Sequence, residues 1–143
     1  MENVVNEIKN WHLFTDVFGE EYEMHDAVIK RFDLNGNELT VVVNTLYEIA
    51  KDKVYDITLR FSNLISLDYD TEIGNDYIYG LYVNKDNYFK NLYHVTFESV
   101  ALEIVCFTME LVSIEESEPF QRSLISLSDP EQTADNGSKM WRT

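Results

Sequence analysis

Apolar and polar residues alternate along the chain from residue 55 to residue 69. The odd positions are apolar except for Asn63, and the even positions are polar except for Leu64. Such alternation is typical of a half-buried strand, because successive side chains of a strand point to opposite faces. The pattern therefore predicts one long strand over 55–69, with a bend or bulge at Ser62 and Asn63.

An amphipathic helix is predicted over residues 2–18, ahead of the strands. Its apolar residues recur at spacings of three and four, which places them on one side of a helix. They are Val4, Val5, Ile8, Trp11 and either Leu13 or Phe14. Asn3 is suited to cap the start of this helix, and Gly19 is suited to end it.

Further segments are predicted as strands because they alternate or are rich in β-branched and aromatic residues. They cover residues 24–34, 39–44, 77–83, 92–98 and 102–114. Asn35-Gly36 predicts a hairpin, since both residues tolerate positive φ, and Gly80 predicts a bulge or a close backbone approach. About six strands behind one helix predict an α+β, mainly β fold: a mostly antiparallel sheet, curled or folded into a sandwich, with the N-terminal helix covering one face or end.

The chain divides into a patterned part and a polar end. Residues 1–116 are predicted to form one compact domain. Residues 117–143 contain both prolines, many polar residues and little periodicity, so they are predicted to form a weakly ordered tail. No basic region followed by an apolar run opens the chain, and no segment approaches the roughly 20 apolar residues of a membrane span. We therefore expect a cytoplasmic protein.

The strong negative charge limits the classes of partner. The formal net charge is −15, from 26 acidic residues against 11 lysines and arginines. Such a charge repels nucleic acid and anionic membranes and attracts basic surfaces. No basic stripe accompanies the aromatic residues, so nucleic-acid binding is not expected. The charge either serves solubility alone or forms a docking surface for a basic partner.

The sequence lacks the common motifs of nucleotide-binding and catalytic sites, namely GxGxxG, GxxxxGKS/T and GxSxG. The histidines His12, His25 and His94 are scattered without metal-binding spacing, so neither a metal nor a cofactor is expected. Cys106 is the single cysteine, which excludes an intrachain disulfide. It lies in an apolar run and is predicted to be a buried, small apolar residue.

Two acidic clusters are candidates for a binding surface. As solvated loops they need no function, but as a surface they would meet lysines and arginines of a partner. Tyrosines nearby in the sequence favour the second interpretation, because exposed tyrosine is enriched at interfaces. The predicted partner-binding residues are Asp68, Asp70, Glu72 and Asp76 after the long strand, Glu20, Glu21 and Glu23 before the first strand, and Tyr77 and Tyr79.

His25-Asp26 allows two interpretations. The pair either closes the turn after the helix, as polar residues often do, or forms a base with an orienting carboxylate. The second interpretation, a hydrolase that also uses His94, is weakened because neighbouring residues in a strand point to opposite faces. A structural or ligand-carrying β domain is a further alternative, and it would need an apolar cavity inside the curled sheet.

Several short motifs occur in the order found in a known family. Phe18-Gly19-Glu20 leads to Met24-His25-Asp26-Ala27, the strand segment Leu59-Arg60-Phe61 follows, and the last strand contains Cys106. This order resembles the immunity protein 50 family of bacterial polymorphic toxin systems over roughly residues 11–112. Met24 stands where the family has an aromatic residue, and residues 117–143 fall outside the resemblance. The resemblance implies a non-enzymatic protein that binds and neutralises a cognate toxin domain encoded nearby, and it supplies no catalytic residues.

Overall fold

The computed structural model describes residues 3–70 and 76–120 of the chain. A short helix, α1 (His12–Phe18), precedes an antiparallel sheet with the strand order β1-β2-β3-β6-β5-β4, which is not closed into a barrel. The predicted α+β, mainly β fold with an N-terminal helix is confirmed. The strands are β1 (Val28–Asn35), β2 (Glu38–Asn44), β3 (Val54–Tyr69), β4 (Gly80–Lys85), β5 (Tyr93–Glu98) and β6 (Leu102–Ser117).

The predicted long strand is β3, and it is bent. The odd-numbered positions from 55 to 61 are buried, as the alternation requires. Asn63 then takes a positive φ of 55°, and the pairing with β6 shifts register just beyond it. The positive φ at Asn63 agrees with the predicted bend, but the bulge itself lies slightly later, between Leu64 and Ser66. This bulge leaves Ile65 out of the pairing, which explains why Ile65, although apolar and odd-numbered, is 62% exposed.

β3 and β6 are each 16 residues long and join the two sides of the sheet. Residues 56–61 of β3 pair with β2, whereas the second half of β3 extends past the end of β2. Residues 102–106 of β6 lie between β3 and β5. Both long strands therefore belong to the β1–β2 side and to the β5–β4 side of the sheet.

The predicted continuous helix over 2–18 is wrong. Val5–Glu7 form a 3₁₀ turn, and α1 starts only at His12. Between them Lys9 bonds to β6 as a strand would: its N–H donates to the carbonyl of Met109 at 3.0 Å, and its own carbonyl accepts from the N–H of Leu111 at 2.9 Å. Pairing with the sheet replaces helical hydrogen bonds here, although the predicted apolar residues still pack in or against the core.

Asn3 and Gly19 mark the two ends of this N-terminal segment. The Asn3 Oδ1 accepts from the N–H of Val5 at 3.2 Å and from the N–H of Val83 at 2.9 Å. Its Nδ2 donates to the carbonyl of Leu81 at 3.2 Å, so the side chain also covers the outer edge of β4. Gly19 ends α1 as predicted, with a φ of 80°.

β1 begins at Val28 rather than at 24 as predicted, because a turn comes first. Met24 and Asp26 have positive φ values of 66° and 68°. The N–H of Ala27 donates to the carbonyl of Met24 at 3.0 Å, which closes the turn. Residues 24–27 therefore lie outside the strand to which the sequence pattern assigned them.

Both glycine positions singled out in the sequence have local roles. Gly36 has a φ of 64° at the β1–β2 turn, whereas Asn35 stays in β1 and pairs with Glu38. Gly80 begins β4, three residues later than the predicted start at 77. A Cβ at Gly80 would lie 3.0 Å from the ring of Tyr82, so a side chain makes the close approach there.

The core lies on one face of the sheet, under the N-terminal segment. The 3₁₀ turn packs against β4 and α1 packs against β6. Phe14, Phe61 and Phe97 are among the largest fully buried side chains, and Cys106 is buried as predicted. The opposite face, called the outer face below, is largely polar. No helix in the described ranges is long and apolar enough to cross a membrane.

Asn44 attaches the last described residues to the sheet. Its fully buried side chain donates to Asp56 Oδ1 at 2.8 Å and to the carbonyl of Glu118 at 3.0 Å. It accepts from the N–H groups of Leu46 at 3.0 Å and Phe120 at 3.2 Å. Hydrogen-bonded structure thus continues past residue 116, and the rest of the predicted tail, 121–143, lies outside the described residues.

Candidate functional site

Backbone hydrogen bonds bring the predicted partner-binding segments together at one end of the sheet. The N–H of Asp26 donates to the carbonyl of Ile78 at 2.8 Å, and the N–H of Ile78 donates to the carbonyl of Ala27 at 2.7 Å. The N–H of Tyr79 donates to the carbonyl of Glu98 at 2.9 Å, which continues the contact into β5. The acidic connector 20–23 therefore ends close to the segment 77–79.

Acidic side chains project from the outer face at this end. Tyr82 of β4 lies opposite Thr96 of β5. Thr96 lies opposite Glu103, and Glu103 lies opposite Asp68 of β3. Directly opposed residues of antiparallel strands share a face, so these side chains form one row. Glu98 is two residues from Thr96 on the same face, and its charge is the main cause of the raised pKa of Tyr82.

The acids around Tyr82 are called the acidic face here, and they are Glu23, Asp68, Glu98 and Glu103. Glu23 belongs to it because its charge also raises the pKa of Tyr82. Glu23 and Asp68 are among the predicted partner-binding residues, whereas the sequence reasoning missed Glu98 and Glu103. The alternation along β5 and β6 indicates that these two residues face water, but it does not indicate which strands are neighbours.

The ion pairs of the described residues use acids outside the acidic face. Toward the start of β3, Lys30 pairs with Asp56 at 2.6 Å, and Arg60 pairs with Glu110 at 2.7 Å, which lowers the pKa of Glu110. Within residues 3–70 and 76–120, no lysine or arginine forms an ion pair with a member of the acidic face. The carboxylates of the acidic face therefore lack a compensating ion pair in these residues, which favours a positively charged partner at this end of the outer face.

The connector also lines a cleft of about 530 Å³ beside α1. Glu20, Glu21 and Glu23 line it together with Trp11 and Tyr22. The Tyr22 hydroxyl is buried and has no hydrogen-bond partner in the described part of the chain, and burial raises its pKa. Carboxylates beside aromatic rings favour a cationic group over an anionic one. The cleft, like the acidic face, should therefore favour a positively charged group.

His25 and Asp26 occupy the centre of the turn before β1. His25 Nδ1 lies 3.2 Å from Asp26 Oδ2, and both side chains are more than half exposed. They meet because they lie in a turn, so the argument that neighbouring strand residues diverge does not apply. The His25 ring also contacts the ring of Tyr79 at a centroid distance of 5.1 Å.

His94 lies at the other end of the β4–β5 hairpin from His25. It pairs with Asn84 across the hairpin, and its Nε2 lies 2.8 Å from Asp86 Oδ1. His25 instead contacts Tyr79, just before β4. Five residues separate Tyr79 from Asn84, or roughly 17 Å along a strand. The two histidines therefore do not form the shared constellation that the hydrolase alternative needs.

The remaining predicted residues lie at or inside the gap in the described chain. Asp70, Asp76 and Tyr77 are exposed on either side of it, and Glu72 lies outside the described residues. In the part of the chain that the structure describes, no three His, Cys, Asp or Glu side chains are arranged to hold a metal ion. What this end of the sheet offers is electrostatic and aromatic binding.

The resemblance to the immunity protein 50 family rests on short sequence motifs alone and stays a prediction. No protein-family model, curated protein or solved structure matches the chain.

Proposed function

We propose that this chain is an immunity protein that binds a cognate bacterial toxin domain and blocks it without catalysing a reaction. The observation that carries the proposal is the acidic face, which the chain's own lysines and arginines leave unneutralised in the described residues. The sequence resemblance suggests a toxin as the partner. The proposal places the chain in the cytoplasm, where it would meet the toxin.

The arrangement of the acidic face favours a basic partner. Asp68 and Glu103 are directly opposed across β3 and β6. Like charges in this position destabilise a sheet. A lysine or arginine brought between them by a partner would convert that repulsion into attraction, so part of the binding energy would come from relief of a repulsion within the free protein.

A basic functional surface on the toxin would explain how binding inhibits it. If the toxin acts on nucleic acid, its substrate groove carries lysines and arginines that contact phosphates. Carboxylates of the acidic face can occupy such a groove in place of phosphates. Tyr77 and Tyr79 are 51% and 58% exposed and lie beside these acids, and tyrosine contributes contact area at interfaces.

The test measures the association rate constant, kon, with the purified toxin domain encoded by the neighbouring gene. The variant removes three negative charges from the acidic face through Asp68→Asn, Glu98→Gln and Glu103→Gln. Long-range attraction steers association, so we expect kon to fall about tenfold at low salt and to depend less steeply on ionic strength. Survival of cells that produce the toxin should fall in parallel.

A control with the same change in net charge separates the acidic face from overall charge. It carries Glu48→Gln, Asp52→Asn and Glu115→Gln, near the start of β3. This control should keep kon within about twofold of the wild type. An equal loss in both variants, or no loss in either, would rule out the acidic face as the docking surface. Absence of binding and of protection by the wild type would overturn the proposed function itself.

A further inference from the structure

The loop between β4 and β5, residues 86–92, holds two neighbouring aromatic side chains in solvent. Tyr88 is 90% exposed and Phe89 is 65% exposed, more than any other large hydrophobic residue in the described ranges. Single exposed apolar residues are ordinary, but two adjacent aromatic rings form a patch, and apolar patches mark interaction sites. The β4–β5 loop is therefore a second candidate interaction site, in addition to the acidic face.

Asp86 holds this loop in a defined conformation. Its Oδ2 accepts from the N–H of Tyr88 at 2.9 Å and from the N–H of Phe89 at 2.8 Å. Its Oδ1 lies 2.8 Å from Nε2 of His94, and its own N–H donates to the carbonyl of Leu92 at 2.8 Å. The backbone that carries the two rings is thus fixed in advance, which lowers the entropic cost of binding through them.

The charged groups of the loop also do not oppose an apolar contact. The Asp86 carboxylate is engaged by the loop backbone and by His94, so its negative charge is compensated locally. Lys90 is exposed next to Phe89. The aromatic tip is therefore a place on this acidic molecule where apolar contact is not opposed by an uncompensated carboxylate.

The loop and the acidic face occur on one element. Tyr82 and Glu98 lie toward one end of the β4–β5 hairpin, and the loop forms the other end. About five strand residues separate the ends of the hairpin, or roughly 17 Å. A standard interface covers about 800 Å² on each partner, which is roughly 28 Å across. A single partner of ordinary size can contact both ends.

We infer that Tyr88 and Phe89 are the apolar anchor of the interface with the toxin domain and enter an apolar pocket on it. This inference rests on the proposed function. The acidic face and the aromatic rings would then affect different rate constants. The acidic face steers the encounter and sets kon, whereas the buried rings slow separation and set the dissociation rate constant, koff.

The experiment compares the wild type with the double variant Tyr88→Ala, Phe89→Ala, using the same purified toxin domain. We expect koff to rise at least about tenfold while kon stays within about twofold. Tyr47→Ala is the matched control, because Tyr47 is also a loop tyrosine and is 54% exposed. Its koff should equal that of the wild type.

A second variant tests the pre-organisation of the loop. Asp86→Ala keeps both rings but removes the acceptor that fixes the loop, so affinity should fall several-fold, less than in the double variant.

An unchanged koff in the double variant, in an assay where the wild type binds the toxin domain, would overturn this inference and leave the proposed function standing. So would ring-dependent binding to phosphatidylserine vesicles without an effect on toxin dissociation. If the wild type does not bind the toxin domain, both proposals fail.

Discussion

Replacing Asn44 with alanine should weaken the protein at two places at once. In the wild type one fully buried amide group donates to Asp56 and Glu118 and accepts from Leu46 and Phe120. Alanine supplies neither a donor nor an acceptor. The substitution therefore leaves polar groups inside the sheet without partners and releases the last described residues from β2.

The size of the loss in stability depends on which of these polar groups can form another hydrogen bond. Asp56 keeps Lys30 at 2.6 Å, and Glu118 is exposed, so water can replace part of what is lost there. The N–H of Leu46 loses its side-chain acceptor in a half-buried position. A hydrogen bond contributes about 1 kcal/mol, and a buried group without a partner costs about 1–3 kcal/mol. We expect the free energy of unfolding to fall by about 3 kcal/mol and Tm by roughly 10 °C.

Two measurements check this prediction. Urea unfolding gives the change in the free energy of unfolding, and amide hydrogen exchange gives the protection of the Leu46 and Phe120 N–H groups, which should fall more than that of Leu59 in the core. Asn37→Ala at the exposed β1–β2 turn is the control, and it should stay within about 0.5 kcal/mol of the wild type. An Asn44→Ala variant equally close to the wild type, with Phe120 still protected, would refute the reasoning.

Gly80→Ala should lower the free energy of unfolding by about 1 kcal/mol, because the new Cβ meets the ring of Tyr82; the loss should largely vanish in a Tyr82→Ala background, and additive losses would contradict the contact. The Asp86 carboxyl should titrate at about pH 2 by NMR, because the bond to His94 and two backbone N–H groups lower its pKa to about 2 from 3.8. Its support of the loop is therefore present above about pH 4 and is lost as the pH falls toward 2, and a midpoint near 3.8 would contradict this assignment. The Cys106 thiol should resist alkylation in the folded protein at about pH 8, because burial raises its pKa to about 12; labelling as fast as in urea would show that it is accessible.

Sequence patterns predicted the strands better than the N-terminal segment, and the reason is physical. Alternation in β3 reports both conformation and burial, because only an extended chain separates odd from even residues. The spacing of Ile8, Trp11 and Phe14 reports burial alone. A 3₁₀ turn, a bridge at Lys9 and a short helix bury the same residues as one continuous helix would.

The candidate site could be predicted only in part, because it depends on strand order. The sequence shows that Glu23 and Asp68 lie in acidic stretches, and both belong to the acidic face. Glu98 and Glu103 are separate acids in the sequence, and they become neighbours only when β5 and β6 pair. The sequence also does not indicate that Asp56 and Glu110 are neutralised, since their ion pairs with Lys30 and Arg60 each join two different strands.

The length of β3 and β6 has a consequence for how the protein folds. Their partners range from Tyr69 with Leu102 to Val54 with Ser117, all far apart along the chain. Closing such a large loop costs entropy before the contacts repay it, so folding should take milliseconds to seconds rather than microseconds. Because the same two strands complete both sides of the sheet, neither side can persist as a stable intermediate, and the molecule should unfold in a single all-or-none transition.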